Sequence, residues 1–163
     1  SGEIMLKDDT YFMKQALREA QKSYEQDEVP VGCVIVVGNE VIAKAHNVRQ
    51  SHHDVLGHAE IKAIQKATKK QNAWVLEDAT LYVTLEPCLM CAGAILQSRI
   101  KRVVYGAFEP KFGVLGSVMD VFHQSSFNHQ VQVTSGILKE ESAHLLQQFF
   151  REKRQEQKNK PIE

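Results

Sequence analysis

The chain has 163 residues, of which 43% are hydrophobic and 25% charged, with 20 Lys or Arg set against 20 Asp or Glu and only three cysteines. These figures fit one domain, 1–163, with a single sizeable core, and they leave no room for a disulfide scaffold, an internal repeat or a low-complexity tract. The zero net charge gives a nucleic-acid partner no support from the total, and no apolar run reaches bilayer length. With no signal-peptide pattern either, the expected location is the cytoplasm, without a membrane partner. Residues 1–7, where Ser1 and Gly2 precede Met5, read as an added or unordered leader.

Thr10 is a cap-type residue ahead of an apolar stripe, Met13, Ala16, Leu17, Ala20 and Tyr24, which predicts a first helix. The β-branched run 31–37 reads as a buried central strand. Gly38-Asn39 is a hairpin signal that returns 40–45 antiparallel. The polar segment 46–57 is a loop, whose His46, His52 and His53 are expected to face solvent or substrate. A helix then runs from His58 to Asn72, and Trp74 is expected in the core or an interface. Residues 80–85 form a third strand that passes straight into Glu86-Pro87 and a helix ending near Ser98, which places a site at the carboxyl edge of a sheet. After a fourth strand at 102–106, the segment 107–117 with Glu109, Lys111 and Phe112 reads as a mobile loop and a candidate substrate wall. A helical turn at 118–123, a short strand at 131–134 and a terminal helix carrying Leu138, Ala143, Leu145, Leu146, Phe149 and Phe150 complete the chain, with 157–163 expected to fray. Helices between strands predict an α/β fold, a three-layer α/β/α sandwich around a mixed, largely parallel five-stranded central sheet.

Cys88 and Cys91 lie three apart, a spacing that puts both sulfurs on one helical face, and Pro87 is read as the first residue of that helix. Helix-start thiols favour the thiolate form that binds metal. Two thiolates need a further ligand, for which His58 is the best candidate, since Cys33 sits inside the buried strand. Three protein ligands with a position left for water make a catalytic zinc site. Glu60, close to His58 only if both lie at the start of a helix, would be a general acid/base beside that water. A closed structural zinc site and a redox Cys-x-x-Cys pair are the alternatives.

His-x-Glu followed by Pro-Cys-x-x-Cys is similar to the signature of the zinc nucleoside and nucleobase deaminases. The likeness widens through Glu28-Val-Pro-Val-Gly32, Leu81-Tyr-Val-Thr-Leu-Glu-Pro-Cys88, Met90-Cys-Ala-Gly-Ala94 and Gly116-Ser-Val-Met-Asp120, which resemble the bacterial tRNA adenosine deaminase family over nearly the whole chain. That resemblance implies a cytidine deaminase-like fold and one zinc per subunit on His58, Cys88 and Cys91. It implies a homodimer, and conversion of the wobble adenosine of a tRNA anticodon stem-loop to inosine. It further implies that Asn47, Val31, Ala59, Glu86 and Phe150 serve substrate binding. Glu109, where the family more often has Asp, would meet the substrate sugar. Arg151, Lys153 and Arg154 would meet RNA phosphates, the alternative being a basic helix end facing solvent. A deaminase of free bases or nucleosides and a non-catalytic zinc module are the rival readings.

Overall fold

The computed structural model describes residues 7–124 and 126–161. Most of the expected leader at 1–7, and the last two residues of the expected frayed end, lie outside that range.

The first helix, α1 (Asp9–Glu25), starts earlier than Thr10 suggested. Asp8 is its N-cap, accepting a hydrogen bond from the Tyr11 N–H at 2.9 Å. Asp8, Asp9 and Thr10 are all cap-competent residues, and a tertiary contact selects among them: Asp9 forms a two-pronged ion pair with Arg102, at 2.7 and 2.8 Å, and accepts from Tyr82 Oη at 2.8 Å. Strand β1 (Gly32–Val37) turns through Gly38 and Asn39, both at positive φ, into β2 (Glu40–His46). Positive φ at both turn residues matches the twist of a two-residue hairpin. Helix α2 (Ala59–Gln71) ends on Asn72 in the left-handed conformation. Then follow β3 (Thr80–Leu85), α3 (Leu89–Gln97), β4 (Arg102–Ala107), a 3₁₀ turn at Val121–His123, β5 (Gln132–Ser135) and α4 (Lys139–Lys158). The helix α4 continues through Lys158, so regular structure covers the first residues of the expected fray.

Together the strands make one mixed sheet in the order β2-β1-β3-β4-β5. Its parallel share is smaller than the sequence suggested: β1 pairs antiparallel with both β2 and β3, while β3–β4 and β4–β5 are parallel. Topology explains this. The crossover through α2 returns β3 in the direction of β2, and β1, inserted between them by the tight hairpin, must oppose both.

Alternation along the strands feeds two cores. Cys33, Ile35, Leu81, Val83, Val103 and Tyr105 face the side covered by α2 and α3, and Val34, Val36, Tyr82 and Val104 face α1. On the α1 side, a Cβ at Gly32 would stand 1.9 Å from the Ala16 carbonyl oxygen. Any side chain there would push the helix off the sheet. The terminal helix lies beside α1, through a Tyr24–Phe149 edge contact at 5.9 Å and the Lys153–Asp27 ion pair. Trp74, expected in the core or an interface, lies outside the core and is 69% exposed on this chain.

Candidate metal centre and substrate pocket

Two helix starts meet above the carboxyl end of β3. His58 is the N-cap of α2 and Cys88 the N-cap of α3, both with extended backbone. The expectation for Pro87 is therefore off by two positions: α3 begins at Leu89, and Pro87 precedes the cap. The consequence for Cys88 is favourable, because an N-cap side chain stands clear of the helix and reaches outward, while Cys91 in the first turn comes up beneath it. His58 Nδ1 lies 3.7 Å from Cys88 Sγ and 3.5 Å from Cys91 Sγ. Zinc bonds of about 2.3 Å to sulfur and about 2.0 Å to nitrogen at tetrahedral angles place those atoms about 3.6 Å apart. The three ligand atoms also lie within 4.8 Å of one another, so donor chemistry and spacing both fit zinc. Cys33 stays in the core outside this group, and burial pushes its thiol well up.

Within the cluster the protein's own groups favour one thiolate. Cys88 is held down to about 4, first by the Cys91 thiol and then by His58 against the cost of burial, and its negative charge together with burial drives Cys91 up. Glu60 is buried next to them, and that burial raises its carboxyl above the ordinary range, opposed by its own backbone N–H and by His58. Its side chain faces Cys91 and opens on a cavity of about 420 Å³.

That cavity gathers most of the expected residues. Val31, Asn47, His58, Glu60, Glu86, Cys88, Glu109 and Phe150 line it. Asn47 uses its Oδ1 to accept the Ala59 N–H at 2.9 Å, which leaves the amide nitrogen as its free donor. Ala59 is not among the residues that line it: it is buried in the core, and its N–H is bonded to Asn47. Glu86 borders the cavity, but its carboxylate is engaged by backbone N–H groups of the 109–117 segment. That segment, expected to hang free as a mobile loop, is pinned there and buries Val114 and Leu115. Glu109 accepts the Lys111 N–H through one carboxylate oxygen.

The basic end of α4 is divided. Arg151 and Arg154 line a cavity of about 500 Å³ and Lys153 lines another of about 670 Å³, both bordered by Phe150. Val29 and Phe150 border all three cavities, so the three adjoin one another at these two side chains. Lys153 is the least available of the three cations, since it pairs with Asp27 at 2.5 Å. Arg49 lines two of the cavities as well. A lone cation in a polar loop carries no periodic or motif signal.

A sheet of this order with a His/Cys/Cys donor set and a buried glutamate over it defines a cytidine deaminase-like enzyme fold. A family model for MafB19-like deaminases matches residues 7–154, and the chain belongs to that family. Among its relatives, the tRNA-specific adenosine deaminase of Bacillus subtilis (strain 168) is 49% identical over 150 residues, covering 92% of this chain and 93% of that protein. The tRNA-specific adenosine deaminase of Agrobacterium fabrum is 48% identical over 145 residues, 89% of this chain and 95% of that one. A solved structure from a study of A-to-I editing by tRNA:A34 deaminases superposes with a TM-score of 0.81 at 45% identity, covering 84% of this chain and 99% of that chain. A guanine deaminase from Nitrosomonas europaea, 20% identical with a TM-score of 0.77, shares the fold.

Proposed function

We infer that this chain is a tRNA adenosine deaminase that hydrolyses the wobble adenosine of an anticodon stem-loop to inosine and ammonia. The observation that carries the chemistry is the convergence of His58, Cys88 and Cys91 at zinc-ligand spacing beside buried Glu60. The likeness to proteins of that name over nine-tenths of the chain supports the substrate. When bound, zinc would supply the Lewis acidity that makes water a source of hydroxide near neutral pH. Glu60 moves the protons. Its carboxylate takes one from water and gives it to the ring nitrogen beside the attacked carbon, then takes the proton of the newly added hydroxyl and passes it to the amine, so that ammonia leaves and a carbonyl remains. Asn47, held through its Oδ1, presents its amide nitrogen to the nucleoside, Val31 offers an apolar wall to the base, and Glu109 has a carboxylate oxygen for the sugar.

A target base must leave its stack to reach such a site, and the two further cavities that Phe150 borders offer space for the flanking nucleotides. Arg151 and Arg154 stand ready for phosphates. Replacing both with Ala should flatten the fall of log affinity with log salt by about 0.7 per contact, while Lys153→Ala, already paired to Asp27, should change it less. Exposed Val55, Leu56, Leu89, Val118 and Met119 near the site support a second subunit, to be tested by sedimentation. The three free cysteines suit the reducing cytoplasm. Mass spectrometry of nucleosides from an anticodon hairpin before and after incubation tests the reading. Inosine at the wobble position alone is expected, and comparable turnover of free adenosine, cytidine or guanine would replace it with a free-base or nucleoside deaminase.

A further inference from the structure

Two loops wall the cavity, and each is fastened from behind by a buried carboxylate. Asn47 and Arg49 come from the 47–57 loop, Glu109 and Phe112 from the 107–117 loop. Holding segments of irregular backbone in one shape costs conformational entropy, of order 1–2 kcal/mol per residue. Glu28, 3% exposed and distant in sequence from the first loop, accepts the backbone N–H of Gln50 at 3.2 Å and of Ser51 at 2.6 Å. Glu86, 2% exposed, accepts the backbone N–H groups of Glu109, Leu115 and Ser117 at 3.0–3.1 Å, and also the Ser117 hydroxyl. The second loop is wrapped so closely that a Cβ at Gly113 would stand 2.4 Å from Glu86 Cδ.

Neither carboxylate joins an ion pair among the described residues. A buried anion with no cation is held only when fixed N–H donors replace its water, and here nearly all those donors come from the two segments that shape the cavity. The Glu109 N–H is itself one of them, so the carboxylate that holds this loop acts directly on a residue that faces the substrate. Pro87, between Glu86 and Cys88, adds its carbonyl to the Val114 N–H at 3.0 Å. The strand end that delivers a metal ligand and the loop that forms the wall are therefore one hydrogen-bonded unit.

We propose that Glu28 and Glu86 are positioning residues that hold the two loop walls in the shape that receives the target nucleoside, and that neither touches the nucleoside or the metal. This rests on the deaminase reading above. For Glu86 it replaces the direct substrate contact expected from the sequence.

The test uses Glu28→Gln and Glu86→Gln in the zinc-loaded protein. Glutamine keeps the shape but turns one oxygen into an NH₂ group that faces N–H donors. Amide hydrogen exchange should speed up at Gln50 and Ser51 in the first variant and at Glu109, Leu115 and Ser117 in the second, each confined to its own loop. Zinc content should be unchanged. With the anticodon hairpin, KM should rise about tenfold or more while kcat falls less than about threefold, as expected when positioning hydrogen bonds to a charged group are lost. Asp9→Asn, which weakens the opposite edge of the sheet, should leave KM unchanged and separates positioning from general loss of stability. Where a Gln variant does not fold, the Asp variant at the same position gives the same readouts. Unaltered exchange, an unchanged KM, or a collapse of kcat with loss of zinc would overturn the proposal. If the wild-type chain does not turn over the hairpin, the functional reading fails, and anchoring is then judged by exchange alone.

Discussion

Three helices of this protein begin on nearly the same backbone and use it for different ends. Asp8 has φ −89° and ψ −176°, His58 φ −81° and ψ 143°, and Cys88 φ −80° and ψ 176°. At α1 the cap side chain turns inward and accepts the Tyr11 N–H, while at α2 and α3 neither side chain caps its own helix. His58 and Cys88 point at each other instead. A good N-cap side chain contributes about 1 kcal/mol, so the two site helices forgo a local stabilisation that α1 keeps. Part of it is recovered from outside: Asn47 Oδ1 takes the first N–H of α2, which ties a pocket residue to the helix that carries His58 and Glu60. The cap positions thus serve chemistry where two helix starts converge and stability where one stands alone.

The sharpest break in that comparison comes from swapping a ligand for a capping residue. Cys88→Ser should lose its zinc, measured by metal analysis, and with it all turnover, whereas Cys33→Ala should keep both. After chelation, however, the Cys88→Ser variant should melt no lower than chelated wild type, because a serine hydroxyl on that backbone can cap α3, a gain of up to about 1 kcal/mol. Glu60→Gln keeps ligands and caps alike. It should retain zinc and fold while kcat falls at least about a hundredfold, the lower range for loss of general acid/base catalysis. At the start of α1 the effects are on stability only. Arg102 holds the Asp9 carboxyl below the usual range. Its contribution is therefore complete above the ordinary carboxylate pKa of about 4 and disappears as pH falls through the lower folded value. Asp9→Asn should cost about 1–2 kcal/mol at neutral pH, discounted for partial exposure, and unfolding curves should converge with wild type in acid. Asp8→Ala should cost about 1 kcal/mol, equal with and without zinc, and leave kcat unchanged.

Short-range signals in the sequence carried well and long-range ones did not. The hairpin was legible because Gly38 and Asn39 tolerate positive φ, and β3 because a β-branched run ends abruptly in Glu86-Pro87. His58, Glu60, Cys88 and Cys91 were legible as a pattern of residue types at helix starts. The true cap of α1 was hidden among Asp8, Asp9 and Thr10, since the Asp9–Arg102 pair that arbitrates spans 93 positions. Glu28 opens one of the stretches that carry the family resemblance, but the N–H groups that bind it, 22 and 23 positions away, cannot be read from local pattern. The Ala59–Asn47 hydrogen bond is hidden for the same reason: only the fold brings the 47–57 loop against the start of α2.

His58 and Cys88 are 30 residues apart, with β3 between them, and their helices meet on one face of the sheet. During synthesis at about 5–20 residues per second, the histidine and Glu60 leave the ribosome a few seconds before the first cysteine ligand exists. A truncated or stalled chain that ends with β3 therefore carries Glu60 and His58 but lacks both cysteines of the proposed metal site. Deaminating capacity should switch on late and all at once, so that retention of zinc by a released chain reports that its two halves have met.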